Sequence, residues 1–173
     1  MEFRVTDSAA SSALHAGVTF READERDIEA MMEVVNAAFE EEAFFVNRPR
    51  THPAQLAEHF RTGHFLLAHR GAQLIASVYY ELRGERGYLG MLAVRPAEQR
   101  NGLGRAVMQA AEGILRRAGC SIAEIAVVNV RTALLQAYTK LGYRESGVVE
   151  PPQELLDKLT MPVQLIKMEK PLS

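Results

Sequence analysis

Cysteine is almost missing from this chain: Cys120 is the single one in 173 residues. No intrachain disulfide framework can form, which suits a reducing compartment. Long apolar runs are missing as well. Nothing approaches the ~20 consecutive apolar residues of a bilayer-spanning helix. Met1 to Val18 is polar and alanine-rich and lacks the apolar centre of a secretory signal. These absences read as a cytoplasmic protein with no membrane partner. Charge of one sign is also lacking: 20 Lys and Arg against 22 Asp and Glu leave a formal net charge of −2. A general nucleic-acid binder needs a basic surface, so nucleic acid is excluded as a partner. There is no internal repeat, low-complexity segment or second domain. What is present is 47% hydrophobic residues in a length suited to one domain with a substantial core.

Residues 1–17 carry little that would bury and read as a mobile tail, with the folded domain spanning 18–173. Val18 to Arg21 is a short strand. Asp24 or Asp27 then caps a helix with apolar residues at Ile28, Met31, Met32, Val35 and Ala38. Glu40-Glu41-Glu42 and Phe44-Phe45 interrupt that pattern. Thr51 is the expected N-cap of a second helix to about Arg61, closed by Gly63. Strands follow at Phe65–Ala68 and Leu74–Leu82, and a third leads to Val94, joined by short turns as an antiparallel meander. A helix from Leu103 to Ala118 shows an amphipathic stripe. Ile122–Val130 reads as a buried parallel strand, and Thr132–Leu141 as a helix. A loop from Gly147 to Met161 with a short helix at Glu154–Leu159, and a last strand at Val163–Met168, complete the chain.

The most informative stretch is the one that joins the third strand to its helix. Met91-Leu92-Ala93-Val94 is a strand, and Arg95-Pro96-Ala97-Glu98 turns the chain. Gln99-Arg100-Asn101-Gly102-Leu103-Gly104-Arg105 then opens the helix. Such a loop lets backbone N–H groups and the positive end of a helix dipole meet an anion. A dinucleotide fingerprint would need Gly at 107, where Val107 stands, and Leu103-Gly104-Arg105 is not the end of a Walker loop. Gln99, Gly102 and Gly104 at their spacing, after a strand ending in Val94, resemble the acetyl-CoA pyrophosphate loop of the GNAT superfamily of N-acetyltransferases. Tyr138-Thr139-Lys140-Leu141-Gly142-Tyr143 resembles a second signature of that superfamily.

The resemblance implies a single α/β domain with a mixed, mostly antiparallel sheet flanked by helices. It implies that the strands ending at Val94 and at Val130 splay apart at their C-terminal ends, with pantetheine bonding along Met91, Leu92, Ala93 and Val94. The pyrophosphate would sit on the amides from Arg100 to Arg105, aided by side chains of Gln99, Arg100 or Arg105. A backbone N–H near Leu92 would polarise the thioester. Tyr138 would protonate the departing thiolate, although Leu134, Tyr138 and Leu141 also lie at core-packing spacing. Where the superfamily often has a cofactor-contacting Asn, this chain has Arg131. Its own Asn129 is either a cofactor contact or a strand-end turn residue, and Arg131 faces either a phosphate or the acceptor.

An attacking amine must lose a proton. Glu81 and Tyr79 are the strand candidates for that base, and Glu150 is the loop candidate. His52, His59, His64 and His69 lack metal-site spacing and read as surface or core residues. The acidic run at Glu40–Glu42 is a candidate lip for a cationic acceptor, and the 147–162 loop a candidate opposite wall. The expected function is acetyl transfer from acetyl-CoA, as co-substrate, to a primary amine on a small molecule or peptide, with no metal. The alternative is a non-catalytic acyl-CoA-binding module. A homodimer is compatible with the sequence, which fixes neither the acceptor nor the oligomeric state.

Overall fold

A computed structural model describes residues 2–3, 15–47 and 49–173. Most of the expected tail lies outside the described residues. Of it, Glu2–Phe3 forms β1 against the next strand, and 15–17 form a turn. The strands are β2 (Val18–Glu22), β3 (His64–Arg70), β4 (Gln73–Arg83), β5 (Arg86–Val94), β6 (Ile122–Val128), β7 (Arg144–Val149) and β8 (Leu165–Pro171). The helices are α1 (Ile28–Ala38), α2 (Pro53–Thr62), α3 (Leu103–Arg117), α4 (Thr132–Lys140) and the single turn α5 (Gln153–Leu156). One sheet in the order β1-β2-β3-β4-β5-β6-β8-β7 holds all the strands. Only the β5–β6 pair is parallel.

The meander forms because two-residue loops close both hairpins, pairing Arg70 with Gln73 and Arg83 with Arg86. β4 lies at the centre of the core: Leu74 through Tyr80 are all buried, so both its faces are covered. On one face α3 packs Leu103, Val107, Met108, Ala111 and Leu115 into a cluster with Ile75, Val78 and Leu89. On the other face, α1 and α2 bring Met31, Val34, Val35 and Leu56 onto Phe65, Leu67 and Tyr79. This second layer explains why Tyr79 stands among the otherwise polar alternate positions of β4, while Ile75 is covered by the α3 side.

Four features differ from expectation. Arg144–Val149, expected in part as loop, is the edge strand β7. Every residue of it is exposed, so it lacks the buried alternation that marks a strand. The last strand runs Leu165–Pro171 and the short helix Gln153–Leu156, each shifted by one or more residues. Thr51 does not cap α2, whose N-cap is His52. The Thr51 backbone is instead clamped by Asn36 of α1, whose Oδ1 accepts its N–H at 2.9 Å and whose Nδ2 donates to its carbonyl at 3.2 Å.

Candidate active site

The site follows from an interruption in the sheet. Ser77 pairs with Ala93 and Tyr79 with Gly90, so Val78 alone opposes Met91 and Leu92. This bulge puts Met91 at φ +50°, a rare conformation for a side-chain-bearing residue. A bulge bends its strand, and this one lies just beyond the point, past Tyr88, where β5 leaves β6. The two pair only at Arg86–Ile122, Gly87–Ala123 and Tyr88–Glu124. From Leu89 to Val94 the β5 edge facing β6 has no strand partner among the described residues. β6 stays paired with β8 along its whole length.

The gap opens into a cleft of about 400 Å³. Met91, Leu92, Val94 and Gln99 line it from the β5 side, with Val127, Val128, Arg131, Leu134 and Tyr138 opposite. At its mouth the chain turns through Arg100 (φ +67°) and Gly102 (φ +83°), the N-cap of α3. Between Arg100 and Arg105 the only backbone N–H with an acceptor among the described residues is that of Leu103, bonded to Asn101 Oδ1 at 3.2 Å. The remaining amides of this loop and first turn are free to meet an anion. Gln99 braces the loop, since its Nε2 donates to the Val94 carbonyl at 2.9 Å.

The other predicted residues separate into those at the cleft and those away from it. The Leu103 and Ala93 side chains are buried in the core clusters on opposite faces of the sheet, so these two can offer a ligand only their backbone. Arg100 and Arg105 are exposed at the loop. Asn129 is a strand-end residue: its N–H donates to the Gln164 carbonyl at 2.9 Å, and its Oδ1 accepts the Gln164 N–H at 3.0 Å. Its side chain is therefore occupied in holding β6 to the chain before β8. Arg131 faces the acidic lip, donating to Glu41 at 3.2 Å and Glu42 at 3.4 Å. Glu81 is not among the lining residues. Arg83 holds its carboxylate at 2.9 and 3.1 Å and the Tyr79 hydroxyl donates to it at 2.9 Å. The Arg83 guanidinium keeps it below the usual carboxylate range, which weakens it as a base.

Tyr138 stands in the wall with no hydrogen-bond partner for its hydroxyl among the described residues. Burial pushes its phenol up to about 12. Tyr143, five residues on, has a structural role. It is fully buried, packs edge-on against Tyr138 at 5.8 Å and donates to Glu112 at 2.8 Å. Lys170 donates to the other oxygen of that carboxylate at 2.9 Å.

The far end of the cleft is built from Phe39, Glu41, Glu42, Arg50, His59, Tyr88 and the Pro152–Leu155 segment. Glu42 is buried between Arg50 at 3.3 Å and Arg131 at 3.4 Å, and desolvation raises its carboxyl despite both cations. The lip is tied to the late loop. Val46 bridges Leu159, Asn47 N–H donates to the Lys158 carbonyl at 2.8 Å, and Thr160 N–H donates to Phe45 at 2.9 Å. The lip and the opposite wall therefore form one unit. Arg50 and His59 were not legible as site residues, because neither sits in a motif. The only hint is that His59 lies three residues after Leu56 on the buried face of α2.

Comparison with known proteins agrees with this geometry. A profile of the acetyltransferase (GNAT) family matches residues 28–143. No curated protein is similar enough to match. Among solved structures, the ribosomal-protein-S18-alanine N-acetyltransferase of Escherichia coli superposes with a TM-score of 0.72 at 19% identity, covering 90% of this chain and 94% of that one. The PaiA N-acetyltransferase of Thermoplasma acidophilum, in complex with coenzyme A, gives 0.71 at 16% identity, covering 89% and 98%. The ribosomal-protein-alanine N-acetyltransferase of Brucella melitensis gives 0.69 at 18%, covering 88% and 98%. Likeness at these identities establishes the shared fold, and the profile match over most of the chain establishes the lineage. This chain belongs to the GNAT acetyltransferase family.

Proposed function

We propose that the cleft transfers an acetyl group from acetyl-CoA to an amine by direct attack. The observation that carries the reading is the parting of β5 and β6 past Tyr88, which leaves an unpaired strand edge leading to a loop of free amides. Pantetheine carries amides of its own and can bond along Met91–Val94 as a short strand. The pyrophosphate fits the amides from Arg100 to Arg105, with the Arg100 and Arg105 side chains adding charge. A Cβ at Gly104 would lie 3.8 Å from the Leu92 and Val94 side chains, in space that a glycine leaves to a ligand.

The chemistry asks three things of this chain. A backbone N–H at the bulge polarises the thioester carbonyl. The amine nitrogen forms a bond to the carbonyl carbon and gives up a proton. The C–S bond then breaks, and Tyr138 donates its proton to the departing sulfur. A phenol held near 12 stays protonated at neutral pH, as a donor must.

The test is thiol release from acetyl-CoA across a panel of small amines and peptides, alongside melting temperatures with and without the thioester. Turnover that Tyr138→Phe abolishes is the expected result. Stabilisation by acetyl-CoA without turnover of any amine would identify a binding module. No stabilisation at all would overturn the site.

A further inference from the structure

We infer that His59 is the group that takes the proton from the acceptor amine, an inference that rests on the acetyltransferase reading above. Its Nδ1 lies 2.8 Å from the backbone carbonyl of Gln55. A carbonyl only accepts, so Nδ1 carries the ring proton and Nε2 of the neutral ring carries the lone pair. Nε2 has no partner among the described residues, nor is it a sealed, unpaired atom. The ring lines the cleft. It is held edge-on against Tyr79 at 5.0 Å and Phe65 at 6.1 Å, so its orientation is fixed by packing. The Gln55 side chain is itself fixed by Lys158, whose Nζ donates to Gln55 Oε1 at 3.1 Å and to the Arg50 carbonyl at 3.1 Å. The imidazole is therefore oriented by a donor bond on one nitrogen and presents the other as a base.

The proton balance closes. The amine proton passes to His59 Nε2 as the N–C bond forms, and the Tyr138 proton goes to sulfur as the C–S bond breaks. The imidazolium and the phenolate are then reset through solvent. Glu81 cannot substitute, because its oxygens are held by Arg83 and Tyr79 outside the cleft lining.

Two measurements decide this. In protein labelled with ¹⁵N-histidine and held above neutral pH, His59 should show a protonated Nδ1 and a lone-pair Nε2. The Nε2 signal should move when an accepted amine is added to the CoA-bound protein. A proton on Nε2 would overturn the assignment without reference to turnover. In the second measurement, His59→Ala and His59→Gln should lower kcat by about 10²–10³-fold. Acetyl-CoA should still stabilise both variants, and added imidazole should restore part of the Ala variant's rate. A raised acceptor KM with unchanged kcat, or activity within about threefold of wild type, would make His59 a packing residue while leaving the acetyltransferase reading intact. If the wild type turns over no amine, it is that reading that fails.

Discussion

The two ends of the cleft are built from different materials. The cofactor end is backbone: an unpaired strand edge, a bulge at Met91–Leu92, and a run of free amides opened by Gly102. The acceptor end is side chain: Glu41, Glu42, Arg50 and His59 from the 41–59 stretch and Arg131 from far along the chain, held by ion pairs and a backbone seam. Backbone presents the same groups whatever the residue, so in the proposed reading the first end would hold acyl-CoA largely through main-chain groups. A change at the second end alters charge and shape directly, so in that reading substrate choice would reside there. Removing a group that acts at the junction should therefore cost most. Altering the cofactor wall should cost binding without stability, and altering the acceptor wall outside His59 should shift the acceptor's KM and leave kcat in place.

In the proposed reading the junction is Tyr138. Tyr138→Phe is expected to lower kcat by about 10²–10³-fold, while leaving the melting temperature and acetyl-CoA affinity near wild type, because its hydroxyl makes no bond to the described chain. The phenol also sets a pH signature. Its folded pKa is raised above the ordinary tyrosine value, so its contribution to stability is complete below about pH 10. That contribution is lost as pH rises through about 12. Turnover measured between about pH 8 and pH 10 should accordingly show no alkaline fall that Phe removes. A fall in that window would mean that the donor is some other group.

The next effect belongs to the cofactor wall. Gly104 has ordinary backbone geometry, and a Cβ there would meet Leu92 and Val94 at 3.8 Å, an unstrained contact. Gly104→Val should therefore fold with a melting temperature within about 3 °C of wild type. It should bind acetyl-CoA at least about tenfold more weakly by calorimetry, a change of ~1.4 kcal/mol. Loss of fold instead of affinity would show that the glycine serves the helix and not the ligand.

The same difference in material decides what could be read from the sequence. A backbone site needs particular residues where φ is positive or a ligand comes close, and these leave spaced glycines. Gly102 and Gly104 after Val94 were therefore legible, and with them the strand, loop and helix that position them. The meander was legible through its turns. β7 was not, since six exposed residues carry no burial pattern. Asn129 could not be separated from a cofactor ligand by spacing alone; only its reciprocal bonds with Gln164 show what it holds. Arg50 left no trace and His59 only its spacing from Leu56, because a side-chain site assembled by tertiary contact has no motif of its own.

On the acceptor wall, Glu42→Gln should leave acetyl-CoA affinity unchanged and raise the KM of a cationic amine by about three- to tenfold, as Arg50 and Arg131 lose the carboxylate that neutralises them. An anionic acceptor should respond in the opposite sense. The folded carboxyl is raised by burial, so its charged form is held at a cost that grows as pH rises through that value. The substitution should hence destabilise the protein less at neutral pH than the two ion pairs would imply.

The smallest expected effect is the sharpest test of the division. Glu81 was the carboxylate that its strand position nominated as a base, and it lies outside the cleft lining. It is half of an ion pair with Arg83, whose side chain is 48% exposed, and such pairs contribute little. Glu81→Gln keeps a hydrogen-bond acceptor for the Tyr79 hydroxyl, so the packing against His59 should persist. The expected change in kcat/KM is less than about threefold for every amine. A loss of about a hundredfold would place the proton acceptor on β4 after all. The acceptor wall would then have been as legible in the sequence as the phosphate loop, and the contrast between the two ends would collapse.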